Sequence, residues 1–204
     1  MAESGDGLSE LVAVMDRLRS PGGCPWDARQ THRSLAEYLL EEAYETVEAI
    51  EGEDANALRE ELGDVLLQVV FHARMAEEQG SFGFGDVVAA ISDKMIRRHP
   101  HVFGDATGVD WEAIKAAERA DKATAEPQTA LSGVALGLPA LLRSEKLQKR
   151  AARTGFDWPD ANGARAKIIE ELAEVDAAPD QDAREDELGD LLFAVVNWAR
   201  KLDI

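Results

Sequence analysis

Apolar residues recur every three to four positions along most of the chain, the spacing that gives an α-helix one apolar face. Four such stripes occupy residues 8–18, 35–50, 58–69 and 84–98. The last of these is predicted to end before Pro100, because the residue preceding a proline avoids the helical conformation. No alternating segment of useful length predicts a strand. The pattern therefore predicts an all-α fold in which the stripes face the core.

A stretch rich in alanine, threonine, glycine and proline interrupts this pattern at about residues 120–139. Its composition predicts a linker at 123–139, between a first unit at 1–122 and a second at 140–204. Both sides carry a tryptophan, a Glu-Glu-x-x-Glu run, and a Glu-Leu-Gly-Asp run followed by an apolar segment. Because these features recur in the same order, we predict an internal repeat.

Carboxylates at helical spacing are the strongest chemical signal in the first half. Glu42 and Glu45 are three residues apart, as are Glu61 and Asp64, so each pair shares a helix face. Glu42 falls within an apolar stripe and Asp64 directly precedes an apolar segment, which predicts that both are drawn into the core. An unpaired buried charge costs several kcal/mol, and residues 34–58 contain no lysine or arginine. These positions therefore predict a bound cation.

Oxygen ligands without histidine or cysteine suit Mg²⁺, Mn²⁺ or Ca²⁺ rather than Zn²⁺. Mg²⁺ is the usual partner of phosphates, so we predict Mg²⁺, with Mn²⁺ as the alternative ion. The repeat supplies a candidate second metal site: Glu171, Glu174, Glu187 and Asp190. The alternative for that half is a purely structural bundle. Gly63 and Gly189, each directly before the aspartate of its set, predict close approach of a neighbouring helix.

Basic residues cluster near the end of the fourth predicted helix, at Lys94, Arg97 and Arg98. Arginine grips phosphate oxygens with a forked pair of donors, and lysine supplies a point charge. The cluster therefore predicts a phosphate site. Pairing with surface carboxylates is the alternative.

Composition narrows the classes of partner. The 204 residues carry 22 Lys and Arg against 40 Asp and Glu, and the formal charge of −18 disfavours nucleic acid and anionic membranes. No apolar run approaches the ~20 residues that span a bilayer. The single cysteine, Cys24, excludes an internal disulfide, and the first residues lack the pattern of a secretion signal. We therefore predict a cytoplasmic protein that binds neither nucleic acid nor membrane.

Several motifs follow one another in a recognisable order: GCPWD from Gly23, LEEAYE from Leu40, ELGDVLLQVVFHA from Glu61, ISDKMIRRHPHVF from Ile91 and WEAIKAAER from Trp111. With them the chain resembles the MazG family of nucleoside triphosphate pyrophosphohydrolases, within the all-α NTP pyrophosphatase superfamily. The first half matches nearly throughout, and the second half is similar to the family's tandem copy. The resemblance implies tandem MazG-like helical units whose bundle is completed by formation of a homodimer.

The resemblance also implies an activity, Mg²⁺-dependent hydrolysis of nucleoside triphosphates to monophosphate and pyrophosphate, in a house-cleaning or nucleotide-pool role. The metal ligands that it implies are Glu42, Glu45, Glu61 and Asp64. Its phosphate-binding helix corresponds to Lys94, Arg97 and Arg98. Glu41 or Glu45 is the candidate catalytic base for the attacking water. Candidates for contact with the nucleotide are Trp26, Trp111 and Lys115, with packing as the alternative role of the two tryptophans.

The second half departs from the family pattern. Longer relatives continue with another basic helix and aromatic element, whereas this sequence ends at Ile204. We therefore expect a truncated second unit and the chemistry in the first. Alternative functions are a narrower pyrophosphatase for dUTP or damaged nucleotides, a di-iron carboxylate bundle, and a non-catalytic acidic helical interaction protein. The chain has no Glu-x-x-His for the di-iron bundle, and the interaction protein leaves carboxylates on an apolar stripe unexplained.

Overall fold

The computed structural model describes residues 4–104, 111, 114, 117–118 and 129–204. All regular elements within these ranges are helical and none is a strand, which confirms the predicted all-α class. Lys115 and residues 123–128 of the predicted linker lie outside the described residues. No described helix is long and apolar enough to cross a membrane. Backbone contacts divide the chain into two compact units, Met1–Trp111 and Glu112–Ile204.

The helices follow the apolar stripes closely. In the first unit they are α1 (Ser4–Arg19), α2 (Pro25–Arg29), α3 (Ala36–Glu51), α4 (Ala55–Glu78), α5 (Phe84–Arg98) and α6 (Pro100–Phe103). In the second unit they are α7 (Ala140–Arg153), α8 (Ala161–Ala177) and α9 (Gln181–Lys201). The bounds of α5 confirm the predicted end before Pro100.

In the first unit α4 is the central helix, contacting α1, α3 and α5. Its start is fixed by Asp54, whose carboxylate accepts hydrogen bonds from the backbone N–H groups of Asn56 and Ala57, at 2.8 and 3.2 Å. Such caps satisfy amide groups that the first helical turn leaves without partners. Side chains from α1, α4 and the start of α3 form the core: Met15, Leu35, Val70, Phe71 and Met75. This core lies towards the C-terminal half of α4 and leaves the N-terminal half to carry the acidic residues.

In the second unit α9 packs along α8 and also contacts α7. Asp160 and Asp180 cap the starts of α8 and α9 in the same way that Asp54 caps α4. Gln148 of α7 donates a hydrogen bond to the backbone carbonyl of Phe193 at 2.7 Å. The loop after α7 is held by Asp157, which pairs with Arg200 of α9.

The expectation that the apolar stripes face the core holds only in part. Leu39 and Ile50 on α3 and Val88 and Ile91 on α5 are between 39% and 56% exposed. The reason is that α3 and α5 each use only part of their apolar surface against α4. The stripes are therefore wider than the contacts that they make within the described chain.

Arg19 ties the end of α1 to the end of α4. Its guanidinium lies 2.7 Å from Glu78, donates to the backbone carbonyl of Asp27, and sits 5.3 Å from the centre of the Phe71 ring. The side chain is only 7% exposed. Its hydrogen bond holds the pKa of Glu78 below the ordinary value. One buried cation thus joins three elements of the first unit.

We expect Arg19→Met to lower the free energy of unfolding by about 2 kcal/mol, because Glu78 and the Asp27 carbonyl lose a charged donor. The matched control is Arg59→Met, whose ion pair with Glu60 is largely exposed and should contribute less than about 0.5 kcal/mol. Urea unfolding followed by circular dichroism measures both. Equal losses in the two variants would contradict this role of Arg19.

Candidate metal centres

Three carboxylates converge where α3 lies against α4. Glu42 and Glu45 project from successive turns of α3, and Glu61 projects from α4. Each offers an oxygen, and these oxygens all lie within 4.8 Å of one another. Asp64 lies one turn beyond Glu61 and is close enough that its charge raises the pKa of Glu42. We call Glu42, Glu45, Glu61 and Asp64 the first cluster.

Repulsion within the first cluster is visible in its acid–base properties. Partial burial, followed by the charges of Asp64, Glu45 and Glu61, raises the pKa of Glu42 above the ordinary value. Partial burial, Glu45 and Asp64 do the same for Glu61. In the described part of the chain, no ion pair connects these carboxylates with a lysine or arginine. Converging oxygens with uncompensated charge suit a hard divalent cation.

The depth of the first cluster differs from the expectation. Glu42 is half-buried, but Asp64, which was expected in the core, is exposed, and so is Glu45. The reason is that the core forms further along α4, at Val70, Phe71 and Met75. The surroundings of Gly63 also differ from the expected close helix contact, since a side chain there would meet no described atom within 4 Å. Gly189 is equally open. These glycines therefore do not serve close helix packing within the described chain.

The second unit contains a comparable group of carboxylates. Oxygens of Glu171, Glu187 and Asp190 lie within 4.8 Å of one another, and a hydrogen bond with Glu171 is the main cause of a raised pKa at Glu174. We call Glu171, Glu174, Glu187 and Asp190 the second cluster. Glu171 is only 4% exposed, and within the described part of the chain no N–H or hydroxyl group donates to its buried Oε2.

A lysine distinguishes the second cluster from the first. The ammonium of Lys167, one turn before Glu171 on α8, lies 2.6 Å from Glu171 and 2.8 Å from Glu170. Hydrogen bonds with these two carboxylates raise the pKa of Lys167 above its ordinary value. Lys167, Glu171 and Asp190 also line a cavity of about 670 Å³, together with Trp158 and Phe193. Neither Lys167 nor the cavity was predicted from the sequence, although the four-residue spacing from Lys167 to Glu171 is typical of an ion pair on one helix face.

Comparison with known proteins connects this geometry to a family. A profile of the MazG nucleotide pyrophosphohydrolase domain matches residues 30–103, which include the whole first cluster. A Thermotoga maritima protein named nucleoside triphosphate pyrophosphohydrolase/pyrophosphatase MazG is 47% identical over 207 residues, covering 100% of this chain and 80% of that protein. The chain belongs to the MazG family. This confirms the resemblance found in the sequence.

Other members of the MazG family are similar to this chain over most of its length. A nucleoside triphosphate pyrophosphohydrolase of Escherichia coli K12 is 50% identical over 208 residues, covering 96% of this chain and 78% of that protein. One of Mycobacterium tuberculosis is 39% identical over 191 residues, covering 89% of this chain and 54% of that protein. The similarity therefore extends through both units, beyond residues 30–103.

The remaining candidate residues of this MazG chain lie around the first unit. Lys94, Arg97 and Arg98 are on the last turns of α5, with Arg97 exposed and the other two half-buried. Trp26 is 46% exposed and makes an edge contact with Tyr38, at 6.2 Å between ring centres.

Further along the first unit, Trp111 is 38% exposed and lies edge-on to His99 at 4.7 Å. The side chain of Glu41, beside Glu42, is exposed. Both tryptophans and Glu41 therefore present surface that a ligand can reach.

A histidine pair was also missed in the sequence. The rings of His32 and His72 are stacked at 5.1 Å, and their Nδ1 atoms are 2.8 Å apart. Burial, and then the nearby His32, lower the pKa of His72. The two residues are forty positions apart, so no local pattern predicts the contact.

Glu42→Gln tests the repulsion in the first cluster. A raised pKa means that the folded chain holds the proton more tightly than the unfolded chain does. The stability that this proton contributes is therefore full below the ordinary carboxyl pKa and is lost as pH rises through the raised value. In EDTA at pH 7 we therefore expect the variant to be more stable than the parent by about 0.5 kcal/mol. The advantage should shrink as pH falls towards 4.5, the ordinary value. Thermal unfolding across this pH range measures it.

The matched control is Glu51→Gln, an exposed carboxylate at the end of the same helix. It removes the same charge outside the cluster and serves as the comparison for the Mg²⁺ response. Mg²⁺ should stabilise the parent and the control more than Glu42→Gln. An Mg²⁺ response of equal size in all three proteins would argue against cation binding at the first cluster.

Proposed function

We propose that this chain hydrolyses nucleoside triphosphates to nucleoside monophosphate and pyrophosphate with a divalent cation held by the first cluster. Mg²⁺ is the proposed ion and Mn²⁺ the alternative. The observation that carries the proposal is the convergence of carboxylate oxygens from α3 and α4 without a described basic partner. Membership of the MazG family supports the reaction class, since relatives similar over most of the chain are named for this activity.

The roles of the acidic residues follow from their positions. A bound divalent ion withdraws charge from phosphate oxygens and lowers the pKa of coordinated water. Glu42, Glu45, Glu61 and Asp64 are proposed to hold the ion. Glu41 or Glu45 orients the attacking water and accepts its proton. Glu41 is the better supported base, because Glu45 already contributes an oxygen to the converging set.

The remaining residues of the first unit are proposed to bind the substrate. Lys94, Arg97 and Arg98 would hold the phosphate oxygens of the substrate. Exposure of Trp26 and Trp111 supports contact of their rings with the nucleoside, and Lys115 is proposed to assist there. A narrower preference, for dUTP or for a damaged nucleotide, is the alternative substrate range.

The wider setting is proposed on the same basis. Residues 140–204 form a second MazG-like unit with a structural role, joined to the first, at 1–122, by the linker at 123–139. A homodimer completes the bundle, which the half-exposed apolar side chains of α3 and α5 support. The protein acts in the cytoplasm on the nucleotide pool, in a house-cleaning role.

The products of the reaction test the proposed bond cleavage. Incubation with each NTP and dNTP in Mg²⁺ should yield monophosphate and pyrophosphate, resolved by anion-exchange chromatography, and EDTA should abolish both products. Comparison across the substrates ranks the bases and sugars. Release of orthophosphate with nucleoside diphosphate would contradict the proposal, because it places the cleavage at the other phosphoanhydride bond.

Paired aspartate variants test where the chemistry occurs. Asp64→Asn should lower kcat by about 100-fold or more, the size of effect seen when a charged group is lost from a preorganised site. Asp190→Asn, the equivalent change in the second cluster, should leave kcat within about twofold. Circular dichroism verifies that both variants are folded. The reverse ranking would assign catalysis to the second unit.

A further inference from the structure

The two clusters differ in the charge immediately beside their most buried carboxylate. Lys167 stands four residues before Glu171, and the residue four before Glu42 is Tyr38. In the second cluster the lysine ammonium therefore already lies 2.6 Å from Glu171. In the first cluster the matching residue carries no positive charge, and no described lysine or arginine pairs with Glu42. This asymmetry comes from one position in the repeat.

The contact of Lys167 with Glu171 is more than a surface ion pair. Glu171 is 4% exposed, and a carboxylate removed from water in this way needs a partner to offset the cost of its desolvation. A lysine placed N-terminal to a glutamate is the less favourable order for a pair on an isolated helix. Burial of Glu171 between α8 and α9, rather than helix geometry alone, therefore accounts for the pair.

Two observations indicate that this pair can be exchanged for another cation. Glu171 Oε2 is buried and accepts no hydrogen bond from an N–H or hydroxyl group of the described residues, so the carboxylate retains an oxygen that a cation can bind. Lys167 and Glu171 both line the cavity of about 670 Å³, which gives the lysine side chain room to move away. The oxygens of Glu187 and Asp190 are already within 4.8 Å.

We propose that Lys167 is a built-in counter-ion that competes with divalent cations for the second cluster, so that the two clusters bind metal with unequal affinity. The lysine ammonium and the metal ion interact with the same carboxylate of Glu171, so each lowers the affinity of that carboxylate for the other. Among the described residues no lysine or arginine competes in this way at the first cluster, which is therefore the tighter site. The inference concerns cation affinity and goes beyond the proposed reaction.

Mn²⁺ binding measures this directly, because electron paramagnetic resonance of free Mn²⁺ gives the bound fraction without any substrate. In the full chain carrying Glu61→Gln and Asp64→Asn, the first cluster is weakened and the second can be titrated. Adding Lys167→Met should tighten binding at the second cluster about tenfold. The control, Lys149→Met, removes the same charge from the pair with Glu145. An unchanged Kd in Lys167→Met, or an equal change in the control, would overturn the proposal.

The reciprocal substitution keeps the test decisive if Lys167→Met fails to fold with Glu171 unpaired. Tyr38 is 36% exposed, so Tyr38→Lys adds an ammonium beside Glu42 at the surface. With the second cluster weakened by Glu187→Gln and Asp190→Asn, this change should raise the Mn²⁺ Kd of the first cluster about tenfold relative to Tyr38→Met. Equal affinities in the two Tyr38 variants would overturn the proposal. If the protein does not cleave NTPs but these Mn²⁺ affinities are as expected, the proposed function fails and the role of Lys167 stands.

Discussion

Repulsion between like charges is the constraint around which the first unit is organised. Contact between α3 and α4 buries apolar surface, but it also brings Glu42, Glu45 and Glu61 together with Asp64 beside them. Burial and the neighbouring charges raise the pKa values of Glu42 and Glu61. Bringing these carboxylates together in their charged form at neutral pH therefore costs the folded chain stability. The proposed divalent cation would relieve this cost, and its binding energy would then add to the stability of the fold.

The second unit meets the same constraint by different means. Its most buried carboxylate, Glu171, is paired with Lys167, and Asp157 at the rim of the same cavity is paired with Arg200. These pairs place a cationic side chain beside each of the two carboxylates. Two similar groups of carboxylates can therefore differ in cation dependence through the residue one helical turn before the buried glutamate. That divergence agrees with the proposal of chemistry in the first unit and a structural role in the second.

The sequence predicted the features that depend on local spacing. Helix α5 ends where the Pro100 rule places it, and the pairing of Glu42 with Glu45 follows from three-residue spacing on one helix. Features that depend on packing between helices were less accessible. The predicted burial of Asp64 was wrong because the core forms further along α4. The His32–His72 contact was not predicted because it joins segments that are distant in the sequence. Lys167 lay within reach of the spacing rule, whereas the cavity beside it arises only when α7, α8 and α9 assemble.

Occupancy of the first cluster is the central claim, and anomalous diffraction from crystals soaked in Mn²⁺ tests it most directly. The account predicts an anomalous peak between the carboxylates of Glu42, Glu45 and Glu61, stronger than any peak between Glu171, Glu187 and Asp190. A peak confined to the second cluster, or none at the first cluster at millimolar Mn²⁺, would contradict it.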